Sequence, residues 1–126
     1  MCMIILLYPN TLINMNDMRQ DSSPQLFRLQ AELCKSLADA KRLMLLHELR
    51  SGPRTVNELA EILGLKQSNT SQHLAVLRKA GLVASQRQGN AVYYSLDNPR
   101  IATACDLVRD IIADQLRRGQ RLAAIV

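Results

Sequence analysis

The sequence predicts a mostly helical domain with one small β-hairpin, and three stretches carry that prediction. Residues 55 to 63 place Val56, Leu59, Ala60 and Leu63 at i, i+3, i+4 and i+7, which lines one helix face with apolar groups. A second run, from about Gln67 to Ala80, puts Leu74 and Leu77 on one face and keeps its first turns polar. Residues 82 to 96 then hold two short β-prone runs separated by Gly89-Asn90, a dipeptide suited to a tight hairpin turn. Helix, turn, helix and hairpin in that order describe a winged helix-turn-helix.

The chain begins with an uncharged segment, residues 1 to 16, whose MCMIILLYP is apolar. That run is too short to cross a bilayer, which takes about 20 residues, and it lacks the basic start and cleavage site of a signal peptide. Residues 1 to 22 are expected to be a disordered or poorly ordered tail. An over-extended reading frame, with Met15 or Met18 as the true start, would account for it; a segment that packs on a partner is the alternative. Residues 23 to 118 are expected to form the single domain, and 119 to 126 a tail or helix extension.

Ser23-Pro24 marks a helix start, with serine as N-cap and proline in the first turn. The helix that follows carries Leu26, Leu29, Leu33 and Leu37 on one face, with Cys34 beside it. Asp39 is placed to cap a second helix bearing Leu43, Leu46 and Leu49, and Gly52-Pro53 ends it. Both helices are expected to be scaffold, with Lys41 and Arg42 solvated. Thr55 and Glu58 fit a capping box at the start of the third helix, and Gly64 stops it. After the hairpin, Asn98-Pro99 opens a last helix running to about Arg118. Its stripe of Ile101, Cys105, Val108, Ile112 and Gln115 or Leu116 is widened by Ala104 and Ile111. In so small a chain such a stripe calls for a partner subunit.

The fourth helix begins Gln67, Ser68, Asn69, Thr70, Ser71, Gln72, His73, side chains that mostly donate and accept hydrogen bonds, as base edges require. Its free N–H groups and positive dipole end also favour phosphate. A solvated face on an ordinary helical hairpin would look similar. From Lys66 to Leu96, however, no Asp or Glu occurs, against Lys66, Arg78, Lys79 and Arg87, and the whole chain carries a net charge of +5. Such a surface suits a polyanion.

Other classes fare worse. The three cysteines, Cys2, Cys34 and Cys105, lie far apart with no C-x-x-C, which argues against a disulfide scaffold or structural zinc and fits a reducing cytoplasm. No set of acid, base and nucleophile suggests an enzyme. One phenylalanine, Phe27, and three tyrosines offer no platform for stacking single strands.

The stretch LKQSNTSQHLAVLRKAGLVASQRQGNAVYYSL resembles the DNA-binding segment of ArsR/SmtB-type winged-helix repressors. The resemblance extends upstream through LCKSLADAKRLMLLHELRSGPRTVNELAEIL and downstream into the last helix, over roughly residues 25 to 118. It implies a cytoplasmic homodimer, joined through the first and last helices, that reads double-stranded operator DNA as a repressor released by an unidentified inducer. The reading helix would enter the major groove and the wing would meet the backbone or minor groove. Phosphate contacts are then expected from Lys66, Ser71, Arg78 and Arg87, and base contacts from Gln67, Ser68, Asn69, Thr70, Gln72 and His73. Two-fold symmetry would set the reading helices about 34 Å apart, one turn of duplex. Family members often have serine where this chain has Lys66, so capping is expected to pass to Ser68 with a shifted helix start.

The sensor sites implied by the resemblance are not matched. Ala60 and Ile62 stand where the family's thiolate metal motif has cysteines. The last helix has Asp106, Asp110 and Asp114 but no histidine, a hard donor set ill suited to zinc. Those carboxylates read as a solvated face alternating with Arg109, Arg117 and Arg118. The family's paired sensor cysteines fall at His47 and Ala113. Cys34 and Cys105 would instead lie near the dimer interface, as a candidate thiol sensor if they meet there or as small buried apolar groups. No metal, cofactor or membrane partner is expected. The rival function is a winged-helix protein-interaction module without specific DNA binding.

Overall fold

Local hydrogen bonds at the helix ends set most of the element boundaries in the computed structural model, which describes residues 22–120. The tail expected over residues 1 to 22 and the extension over 119 to 126 fall almost wholly outside that range. Helix α1 (Pro24–Ser36) starts where Ser23 Oγ accepts the Leu26 N–H at 3.3 Å. Helix α2 (Ala40–Glu48) is opened by Asp39, whose Oδ1 accepts from the Lys41 and Arg42 amides at 2.8 and 3.2 Å. It tightens into a 3-10 turn, Leu49–Ser51, and stops at Gly52.

Strand β1 (Arg54–Thr55) leads directly into helix α3 (Val56–Leu63). The capping box is complete: Thr55 Oγ1 accepts the Glu58 N–H and Glu58 Oε1 accepts the Thr55 N–H, each at 3.2 Å. Gly64 then turns left-handed, with φ 65° and ψ 34°, so the Leu65 amide reaches back to the Ala60 carbonyl at 2.9 Å. Helix α4 (Gln67–Lys79) follows after two residues. Strands β2 (Val83–Gln88) and β3 (Ala91–Leu96) form the hairpin, and helix α5 (Arg100–Arg117) closes the fold. Pro99, expected as the first helical residue, stands instead at the N-cap position of α5, and Asn98 Oδ1 just before it accepts the Arg100 N–H at 3.0 Å.

The sheet has the order β1-β3-β2, entirely antiparallel, with Arg54 opposite Tyr94, Thr55 opposite Tyr93, and Gln88 opposite Ala91 at the turn. Sequence pattern gave no sign of β1, because a two-residue strand has no periodicity and exists only through its pairing with β3. Gly89 has φ 63° while, among the described residues, none other than glycine has positive φ, the arrangement of a two-residue turn with glycine at its first central position.

The core is made by Leu45, Leu46 and Leu49 with Leu59 of α3, Leu74 and Leu77 of α4, and Leu82 and Val83 where the hairpin begins. Of the leucines carried by α2 and the turn after it, Leu43 is 41% exposed while Leu45, Leu46 and Leu49 are buried. The reason is that α2 carries two apolar faces, one to the core and one, with Leu43 and Met44, to a groove described below. Helix α1 has Ser36 as its one buried residue. Helix α5 has none, and Leu107, Val108 and Ile111 are each more than half exposed.

Candidate nucleic-acid interface

Thr70, Leu74 and Leu77 fix the rotation of α4, since these three are its buried residues. The opposite side, Ser68, Ser71, Gln72, Ala75 and Lys79, is exposed, as are Gln67 and Arg78 on its flank. Asn69 and His73 are half-buried. Thr70 was expected to contact a base, and the structure corrects this. It is 0% exposed and its hydroxyl donates to the Lys66 carbonyl at 2.9 Å, so it holds the helix start together from inside.

The expected shift of the helix start to a Ser68 cap is also corrected. Lys66 occupies the N-cap position, with φ −69° and ψ 143°, and no side chain caps the helix. The first amide bonded along the helix is that of Thr70, to the Lys66 carbonyl at 3.0 Å. Among the described residues the amides of Gln67, Ser68 and Asn69 therefore have no acceptor. Three outward N–H groups, the positive end of the dipole and the Lys66 side chain converge at one exposed corner.

The wing reaches toward the same corner. Gln67, Asn57 and the turn residue Asn90 line a shallow depression of about 250 Å³ between α3, α4 and the hairpin. Asn57 was not singled out from sequence; being an amide at the second position of α3, it carries no periodic signal. Arg87, exposed and opposite Val92, sits one pair from the turn. No carboxylate lies on α4, β2 or β3.

Behind this surface, Arg42 is not the solvated residue expected. Its Nε donates to the Ser36 carbonyl at 2.6 Å and its Nη1 lies 3.4 Å from His73 Nδ1, joining the α1–α2 corner to the reading helix. Burial works against the charge of nearby Asp39. The amides of Arg42 and Lys41 and the charges of His73 and Arg42 outweigh it, holding the carboxyl below its usual range.

On the far side of the molecule α1, α2 and α5 enclose an apolar groove of about 750 Å³, lined by both Cys34 and Cys105. Both are free thiols, Cys34 exposed and Cys105 partly buried. Burial and the Asp106 charge push the Cys105 thiol up, against the pull of Arg109 and Arg50. The row of aspartates on α5 is not uniformly solvated. Asp106 accepts a two-pronged hydrogen bond from Arg50, with Nη2 to Oδ2 at 2.7 Å, which lowers its pKa and raises that of the guanidinium. Asp114 pairs with Arg117. Among the described residues no three His, Cys, Asp or Glu gather as a metal site would need, and no helix is long and apolar enough to cross a membrane.

Two helices joined at a left-handed glycine, a three-stranded wing and a flanking last helix define a winged helix-turn-helix protein. Residues 39–85 match the family model described as bacterial regulatory protein, arsR family. An uncharacterised HTH-type transcriptional regulator of Mycobacterium tuberculosis, Rv0081, is 44% identical over 92 residues, 72% of this chain and 81% of the relative. Its crystal structure superposes with a TM-score of 0.69 at 42% identity, covering 78% of this chain and 98% of that one. The solution structure of a homodimeric winged helix-turn-helix DNA-binding domain from Mycobacterium bovis gives 0.66 at 31% identity, covering 76% and 88%. The biofilm growth-associated repressor of Xylella fastidiosa is 32% identical over 112 residues, 82% of this chain and 98% of its own length. The chain belongs to the ArsR family of bacterial regulatory proteins.

Proposed function

We propose that the protein is a cytoplasmic, homodimeric transcriptional repressor, not an enzyme, that binds a two-fold operator in double-stranded DNA and leaves it on binding an inducer. The observation that carries this reading is the acid-free corner where three unbonded amides of α4, Lys66 and the wing turn face one way. Ser68, Asn69, Gln72 and Gln67 are the base-reading candidates, with His73 at their edge. Lys66, Ser71, Arg78 and Arg87 meet phosphate, and Lys79 joins them on the same exposed face. Phosphate contact of this kind ties affinity to salt, which a protein-interaction module would not require. Relatives whose names describe repressors, and a relative described as a homodimeric DNA-binding domain, support the same reading.

The dimer is assigned to α1 and α5, where Phe27, Leu107 and Ile111 are 57%, 60% and 56% exposed. Apolar side chains of that size left bare on a small domain call for a cover. Cys34 and Cys105 enter as lining of the groove, where burial and the Asp106 charge disfavour the Cys105 thiolate. The test is fluorescence anisotropy on DNA from upstream of the protein's own gene, against a scrambled duplex, over a range of salt. Specific binding that weakens steeply with salt is expected. Equal affinity for both duplexes, or a response flat in salt, would favour the interaction module.

A further inference from the structure

The geometry points to the groove between α1, α2 and α5 as a binding site for a small amphipathic carboxylate. Its hydrocarbon part would lie on Leu33, Met44 and Val108, and its carboxylate on Arg109 beside His47. This names the chemistry of the inducer and so rests on the reading of the protein as an inducer-released regulator. The groove's volume, about 750 Å³, falls within the range of roughly 300–1,000 Å³ usual for small-molecule sites. Its walls are almost wholly apolar, and most of its polar groups gather in one place. Asp106 is bonded to Arg50 and feels the charges of Arg109 and His47, while Arg109 Nη1 lies 3.4 Å from His47 Nδ1.

The charge balance of that cluster selects an anion. Arg50 and Asp106 neutralise each other through their two-pronged bond. Arg109 has no carboxylate within ion-pairing distance among the described residues, so one positive charge is left over even with His47 neutral. A guanidinium fork at the end of an apolar trough matches a carboxylate on a hydrocarbon chain, since its paired N–H donors fit the two oxygens. The groove adjoins the face assigned to the partner subunit: Ile101, Cys105, Val108 and Ile112 of the last-helix stripe line it, while Phe27, Leu107 and Ile111 do not. Leu46 both lines the groove and belongs to the core cluster with Leu74 and Leu77 of α4, so the groove shares a side chain with the packing that holds the reading helix.

The test is calorimetric titration of the full-length protein, without DNA, using hexanoate, octanoate and 1-octanol as probes. Burying each methylene should tighten binding about fourfold, so octanoate should bind roughly sixteen times more tightly than hexanoate. Octanol should bind at least about tenfold more weakly than octanoate, because it cannot form the charged hydrogen bonds. Arg109→Gln should erase the difference between octanoate and octanol, and Ala104→Phe, which fills the trough, should abolish both. No saturable octanoate binding at millimolar ligand, or octanoate affinity unchanged in Arg109→Gln, would overturn the proposal. So would an Ala104→Phe protein that turns monomeric, since the groove would then be the partner's seat. Should Ala104→Phe fail to fold, the Arg109→Gln comparison still decides. Because DNA is absent, failure of operator recognition and failure of this site register separately.

Discussion

Replacing Lys66 with serine should move stability and DNA affinity in opposite directions. Lys66 stands at the N-cap of the reading helix with the extended backbone, φ −69° and ψ 143°, that a capping residue adopts, yet its side chain caps nothing. A serine there would place a hydroxyl within reach of the unbonded Ser68 or Asn69 amide. Such a cap is worth about 1 kcal/mol, which for a domain of this size raises Tm by roughly 3–6 °C. The same change removes one phosphate-neutralising charge from each subunit and engages an amide that would otherwise meet phosphate. Each lost contact lowers the slope of log affinity against log salt by about 0.9, so a dimer should lose about 1.8. Thermal melts at fixed protein concentration read the first effect, and anisotropy titrations over a series of salt concentrations read the second. A Tm that falls or stays put would show that the helix start is already satisfied. A higher Tm with an unchanged salt slope would remove Lys66 from the DNA surface.

Other changes test other parts of the account. Thr70→Val should leave operator preference unaltered while lowering stability by about 1 kcal/mol, since the hydroxyl bonds the Lys66 carbonyl from the interior; equilibrium denaturation and competition with mutated operators measure the two. Leu74→Ala removes a fully buried side chain and should cost about 2–5 kcal/mol in the same denaturation assay. Asp39 and Asp106 both hold their protons less tightly folded than unfolded, where the ordinary value is 3.8. Their stabilisation is therefore complete above that pH and drains away as pH falls through the lower folded values; Asp39→Asn and Asp106→Asn should each flatten the acid limb of a stability-against-pH curve.

Features written in short-range hydrogen bonding were legible in the sequence. Ser23, Asp39 and the Thr55–Glu58 box all cap as their spacing suggests, because each bond closes within three residues. Gly64 and the Gly89-Asn90 turn were legible for a related reason: backbone with positive φ leaves few residue types eligible. What escaped depends on distant partners. Arg50 and Asp106 are 56 positions apart, Arg42 and His73 31, and nothing local marks either pair. Strand β1 exists only against Tyr93 and Tyr94. On helix α2, Leu43, Leu45, Leu46 and Leu49 satisfy more than one face, and periodicity cannot rank two apolar faces on one helix. Of the α4 residues expected to meet DNA, Gln67, Ser68, Ser71, Gln72 and Arg78 are exposed and Asn69 and His73 half-buried, while Thr70 is turned inward because it shares the buried side of α4 with Leu74 and Leu77.

The central claim, a two-fold dimer that lays its reading helices into successive major grooves, is tested most directly by hydroxyl-radical footprinting on the upstream DNA. Two protected half-sites in inverted orientation are predicted, about 10–10.5 base pairs apart centre to centre, with flanking protection from the wings. Protection and spacing should both survive in Thr70→Val, while protection should weaken in Arg87→Ala. A single protected half-site, or uniform protection without a repeat, would contradict the account.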